Sequence, residues 1–368
     1  MLKSNKDSLV VFIVMLVVFS SFTLNPNSYT DMPAHIHFAK LALEDGTLLR
    51  GNFLMYLILN ILTLFSRKRI LISIALLFLL SAANTAKYLI AKIAFEDFTN
   101  VWIAKIASLS LLFVFVIPWL FPQNKLMYLG YCVPNVWHNS TIVLSMPFAI
   151  LMYLYSLKIL SAFSEKNNNI LTIVTLICVL IKPSFFFVFG VVYPIMLLIK
   201  YGVSKTLFKA LLPVLIGALG CMYIYFSIFT IGNQTGGNGV MISANKLLCM
   251  DFWREKLPFL ISSLAFPILF CVFDKNSIKT KEFLYLSLMI VTALLISYLC
   301  SETGDRAGHG NFGWQIVPVM WLVYYSVLKG ILSWKQSAKR NFFLSIYSIH
   351  VVVGIVYCMR LVLFDNYA

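Results

Sequence analysis

Tyr29 to Lys40 reads YTDMPAHIHFAK and sets Asp31, His35 and His37 within seven residues of one another. A carboxylate held beside imidazoles can take a proton from a hydroxyl, so Asp31 is a candidate general base. Three further stretches have the residue types for a polar ligand. GYCVPNVWHNST (130–141) joins Trp137, His138 and Asn139, an aromatic face with imidazole and amide hydrogen-bonding groups of the kind that hold a sugar ring. IKPSF (181–185) brings Lys182, a cation for an anionic phosphate. SETGDRAGHGNFGWQ (301–315) combines Glu302, Arg306, His309, Asn311 and Trp314 with closely spaced glycines; its backbone N–H groups suit an anion, and Arg306 a bidentate phosphate contact. Glu302 is placed to orient Arg306 and is the second catalytic candidate.

Each cluster also has a plainer reading. Asp31 can simply cap a helix, Trp137 can sit at a bilayer interface, and Lys182 can reach the headgroups along its aliphatic stem. Asp31, His35 and His37 together could approach a divalent cation, but the two histidines point about 200° apart on a helix, so no metal cofactor is expected. No G-x-S-x-G elbow, Walker loop, H-E-x-x-H pair or Rossmann fingerprint is present. Seven scattered cysteines, with no C-x-x-C pair, read as apolar packing residues.

The elements that must carry these clusters are membrane helices. Of 368 residues, 60% are hydrophobic and 12% charged, and the mean hydropathy is +0.87. That composition indicates an all-α polytopic membrane protein, since hydrocarbon demands that every backbone polar group be satisfied internally. The net charge of +15 fits basic cytoplasmic loops; no basic stripe with stacking aromatics points to nucleic acid. The first apolar run lacks a small-x-small cleavage site and is expected to stay as a span. About 11–13 spans are expected, at 8–24, 52–66, 70–91, 101–121, 126–134, 141–160, 170–182, 183–199, 209–230, 258–273, 283–300, 316–333 and 342–363, with 126–134 and 170–182 short or broken.

Residues 1–368 then form one integral membrane domain, without an internal repeat. The basic loops 66–69, 164–169, 200–205, 274–281 and 333–340, with the N-terminus, are expected on the cytoplasmic side. Loops 24–51, 92–100, 134–140, 231–257 and 301–315 are expected outside. The outer side would hold His35, His37, His138 and His309, four of the five histidines. In the first outer loop, Met32, Ile36, Ala39 and Leu43 share one face, Pro33 suits a first turn and Gly46 a stop. Residues 31–45 are therefore expected to form an amphipathic interfacial helix.

A carboxylate just past the first span, followed by a surface helix, resembles the type C glycosyltransferase fold (GT-C). The match rests on YTDMPAHIHFAK, with Asp31 at the carboxylate position. PNVWHNST, KPSF and ETGDRAGHGNFGW resemble stretches of membrane proteins from bacterial surface-polysaccharide gene clusters. The resemblance implies a multi-pass protein of the bacterial cytoplasmic membrane, with its N-terminus cytoplasmic and its active site extracytoplasmic. It would transfer a sugar from a polyprenyl-phosphate or -diphosphate donor to a lipid-linked or surface glycan acceptor, with inversion. Asp31 would be the base. Lys182, Arg306 and His309 would stabilise the leaving phosphate, and the remaining candidates would hold the sugar. A repeat-unit polymerase and a flippase of lipid-linked glycan are the alternatives. A departure from the better-known members, which have a soluble C-terminal domain, is expected, since no such domain is read in residues 1–368.

Overall fold

The computed structural model describes residues 6–118, 131–229, 239–243, 250–304 and 310–364. Helices dominate. In chain order they are α1 (Lys6–Thr23), α2 (Met32–Glu44), α3 (Leu54–Leu62), α4 (Arg69–Glu96), α5 (Val101–Ser110), α6 (Ser140–Ser161), α7 (Glu165–Ile181), α8 (Ser184–Tyr201), α9 (Lys205–Ala210), α10 (Leu212–Phe229), α11 (Met250–Phe273), α12 (Lys281–Leu299), α13 (Ile316–Ser333) and α14 (Ala338–Phe364). Nine helical stretches among the described residues are long and apolar enough to cross a membrane, which makes the chain a multi-pass membrane protein. The all-α expectation holds, with one small two-stranded sheet among the described residues. β1 (Val240–Ile242) pairs antiparallel with β2 (Cys300–Glu302), Val240 opposite Glu302, and ties two loops together at one end of the bundle.

α2 forms as its sequence dictates. A proline lies in its first turn, its buried face is Met32, Ile36, Ala39 and Ala42, and it ends at Gly46 with φ +64°. Thr47 N–H returns to Ala42 O at 2.9 Å, closing the C-terminus with a glycine in the left-handed conformation. Leu43, expected on the buried face, yields its place to Ala42 and is half-buried.

Two expected spans differ. Residues 52–66 do not cross: α3 has 9 residues, about 14 Å of rise, and packs on α2 through Asn60, whose amide donates to Ala39 O at 3.0 Å. Residues 101–121 give a 10-residue α5 and then an extended stretch, where Asn135 donates to Leu111 O and Val114 O. Most of 126–134 lies outside the described residues. The other run expected to be short, 170–182, lies within the 17-residue α7, which is not among the nine spanning stretches.

These differences move two loops. α1 and α4 run antiparallel: Asp7 accepts from Tyr88 at 2.7 Å and Lys92 at 2.8 Å, and Phe12 packs on Phe78 at 6.1 Å. Since α3 turns back, loop 66–69 lies at the Asp31 end and loop 92–100 at the Asp7 end, the reverse of the expected arrangement. Residues 134–140 lie at the Asp31 end as expected, where Asp31 N–H donates to His138 O.

Candidate functional site

The site is built where loop 24–31 meets the start of α6. Asn139 caps α6, its side-chain oxygen accepting from Ile142 N–H and Thr141 Oγ1, each at 3.0 Å. Asp31 sits at the N-cap position of α2 but makes no side-chain cap there. Its Oδ1 instead accepts from Ser140 N–H at 3.0 Å, and its own N–H donates to His138 O at 3.1 Å. The carboxylate thus lies at the positive end of α6, a helix it does not belong to.

Asp31 Oδ2 meets His35 Nε2 at 3.2 Å. His35 Nδ1 in turn lies 2.8 Å from Tyr56 OH. With the Tyr56 hydroxyl donating to Nδ1, Nε2 carries the imidazole proton and points it at Asp31. Burial, and then the Asp31 charge, push the Tyr56 phenol above its ordinary range, so it stays a neutral donor. The Asp31 side chain is 28% exposed and open to a ligand.

His138 is buried, its ring 5.9 Å from that of Trp314. Burial pulls its pKa down to about 4 against the pull of Asp31, so it is neutral near pH 7. Beyond Trp314, Asn311 donates to Glu302 Oε2 at 2.6 Å, and its Oδ1 accepts from Lys182 Nζ at 3.5 Å. The two-residue link between α7 and α8 presents Lys182 here, Pro183 stopping one helix and starting the next. Lys182, Glu302 and Asn311 form the polar part of a cavity of about 500 Å³, whose other walls include Phe187, Met222, Tyr225 and Phe226.

Asn52 also lines this cavity, and its buried Oδ1 has no hydrogen-bond partner among the described residues. Two bonds from α10 fix its loop: Ser227 Oγ accepts from Gly51 N–H at 2.9 Å, and Tyr223 OH donates to Leu49 O. Four residues on comes Tyr56, so α3 links the cavity wall to the Asp31–His35 pair.

Asp31, His35, His138, Lys182, Glu302, Asn311 and Trp314 therefore gather at one end of the bundle. Three other candidates are placed apart from this group. Trp137 is 1% exposed and stacks against Phe113 and Phe115, with ring centroids at 6.3 and 6.4 Å, so it is core rather than a sugar platform. The side-chain oxygen of Asn139 is occupied as a helix cap. His37 is exposed, on the opposite face of α2 from His35. Arg306 and His309 lie outside the described residues. No group of three or more His, Cys, Asp or Glu is placed to hold a metal ion among the described residues.

Sequence reasoning missed Tyr56 and Asn52. Their signal was Asn52, Tyr56 and Asn60, three polar-tipped residues at four-residue spacing in an apolar run. It also missed Lys87, buried within α4, whose Nζ donates to Asn135 Oδ1 at 2.6 Å and so steadies the segment leading to His138.

Fold and site together define a polytopic helical membrane protein with a carboxylate–imidazole–phenol chain and an amphiphilic, lysine-bearing cavity at one end of its bundle. No protein-family model, curated protein or solved structure shows significant similarity to the chain.

Proposed function

We propose that the protein is a membrane glycosyltransferase of the GT-C type, moving a sugar from a polyprenyl-phosphate or -diphosphate donor to a lipid-linked or surface glycan. The observation that carries this reading is a restrained, accessible carboxylate at the same end of the bundle as an amphiphilic cavity bearing Lys182, with α3 running from the cavity wall at Asn52 to Tyr56 of the Asp31–His35 pair. The cavity's two halves match a phosphate and the first isoprene units of a carrier lipid. The excess of basic loops at the Asp7 end (164–169, 200–205, 274–281 and 333–340) supports a cytoplasmic N-terminus and an extracytoplasmic site in a bacterial cytoplasmic membrane.

In this mechanism the acceptor hydroxyl loses its proton to Asp31 as its oxygen attacks the anomeric carbon. The bond from that carbon to the phosphate oxygen breaks with inversion. Lys182, held by Asn311, meets the charge developing on the phosphate, a type of contact worth about 3–4 kcal/mol. The His35 N–H keeps the carboxylate aimed, Glu302 positions Asn311, and neutral His138 and Asn52 offer hydrogen bonds to sugar hydroxyls. Arg306 and His309 retain their proposed phosphate roles.

The test is mass-spectrometric profiling of lipid-linked and surface glycans in cells carrying wild type, a deletion, or Asp31→Asn at equal protein level. Asp31→Asn should match the deletion, with a glycan short by one unit and its precursor accumulating. Polymer loss with intact single repeat units would make the protein a polymerase instead. Precursor trapped in the cytoplasmic leaflet would make it a flippase. Wild-type glycans from Asp31→Asn would remove Asp31 as base.

A further inference from the structure

A second cavity, of about 790 Å³, opens at the opposite, Asp7 end of the bundle, between α11, α12 and α13. Its deep wall is apolar, with Leu264, Ile268, Leu286 and Ile290, while its mouth carries Glu282, Lys329 and Lys275. Glu282 and Lys329 neutralise each other: Lys329 Nζ donates to Oε2 at 3.0 Å, and Tyr153 OH holds Oε1 at 3.2 Å. Lys275 is different. It is exposed and makes no hydrogen bond or ion pair among the described residues.

Its loop neighbour Asp274 makes no ion pair with it, being turned to Ser277 Oγ at 2.7 Å and Trp334 Nε1 at 3.1 Å. Lys279 and Lys281 in the same loop add to the positive field. Deeper in, the Ser287 hydroxyl faces the cavity and makes no hydrogen bond among the described residues.

We propose that this cavity binds an anionic glycerophospholipid with a hydroxylated headgroup, such as phosphatidylglycerol, from the leaflet at the Asp7 end. The acyl chain lies along Leu264 and Ile290, the phosphate meets Lys275, and headgroup hydroxyls reach Glu282 and Ser287. The charge at the mouth favours an anion over a zwitterion. The carboxylate favours a headgroup that can donate, which a bare isoprenoid phosphate cannot do. This inference stands apart from the transfer reading, since it concerns the other end of the molecule.

Native mass spectrometry of the full chain in detergent, with dioleoyl phosphatidylglycerol or dioleoyl phosphatidylcholine at matched concentrations, tests it. Phosphatidylglycerol should be retained several-fold more, and Lys275→Gln should lower its retention about fivefold while leaving phosphatidylcholine unchanged. Ile290→Trp, which narrows the cavity without altering charge, should reduce retention of phosphatidylglycerol in the folded protein. Equal retention of the two lipids, indifference to either substitution, or displacement by polyprenyl phosphate at equal concentration would each overturn the assignment.

Discussion

A carboxylate that only capped α2 would accept from the first-turn backbone N–H groups of that helix; Asp31 instead accepts from Ser140 N–H of α6 and meets the His35 side chain. Those two restraints fix both oxygens, which is what a base aimed at one substrate hydroxyl needs. Tyr56→Phe should therefore lower turnover about tenfold by releasing the imidazole, and cause no further loss in an Asp31→Asn background, measured as initial rates of sugar transfer. Equal losses in both backgrounds would mean Tyr56 acts elsewhere. His138 gives a pH test. Its pKa is about 4 when folded, against about 6.5 for an unperturbed histidine, so between those values the unfolded chain binds more protons. Stability then rises with pH across that window and falls on acidification, by up to about 1.4 kcal/mol per pH unit. His138→Leu should show a shallower decline of Tm between pH 6.5 and 4 in detergent, and an unchanged slope would refute the burial argument. At this scale the sequence was legible where polarity stands out, as at Asp31 and Lys182. It misled at Trp137, because a bilayer interface and a packed core both favour tryptophan, and Tyr56 was hidden because an aromatic in an apolar run reads as core.

Among the elements, α2 was readable from period, proline and glycine alone, because each local signal agreed. α3 was not. It stops at Leu62 and reverses through Leu64 and Phe65, both at positive φ, 50° and 56°. That conformation costs about 1–2 kcal/mol for each L-residue, and neither glycine nor proline marks it in the sequence. Asn60, bonded to Ala39 O and Tyr56 O, is what holds the turned-back helix to α2. The irregular stretch after α5 is fixed in a comparable way by α14. A Cβ at Gly354 would lie 1.5 Å from Phe113 O, so α14 approaches this backbone too closely for any side chain. His350 Nδ1, one turn earlier, donates to Phe115 O at 2.6 Å. Gly354→Ala should therefore destabilise the protein by about 3 kcal/mol, the upper range for overpacking, because the obstacle is main chain that cannot rotate away. A Tm in detergent equal to wild type would show that the segment can shift.

Across the whole molecule, the expected path of the chain erred twice and the errors cancelled. Counting 52–66 as a crossing sent loop 66–69 to the wrong end, and dividing 101–134 into two crossings brought 134–140 back to the right one. The rule that assigned loop 66–69 compares basic residues summed over all loops of each side, and a single short run can sit on the minority side. Here Arg67, Lys68 and Arg69 share an end with Asp31 and Lys182, while the larger set of basic loops lies at the Asp7 end. The arrangement makes a sharp expectation for reporters. Fusions after residue 68 and after residue 305 should report the same side of the membrane, and a fusion after residue 98 should report the other, together with the N-terminus. Paired alkaline phosphatase and green fluorescent protein fusions at the three positions measure this directly. If residues 68 and 98 reported the same side, α4 would not cross, and the Asp7–Tyr88–Lys92 contacts that define the antiparallel α1–α4 pair would be wrong. If residues 68 and 305 reported opposite sides, Asp31 and the Lys182 cavity could not belong to one site, and the transfer mechanism would fail with them.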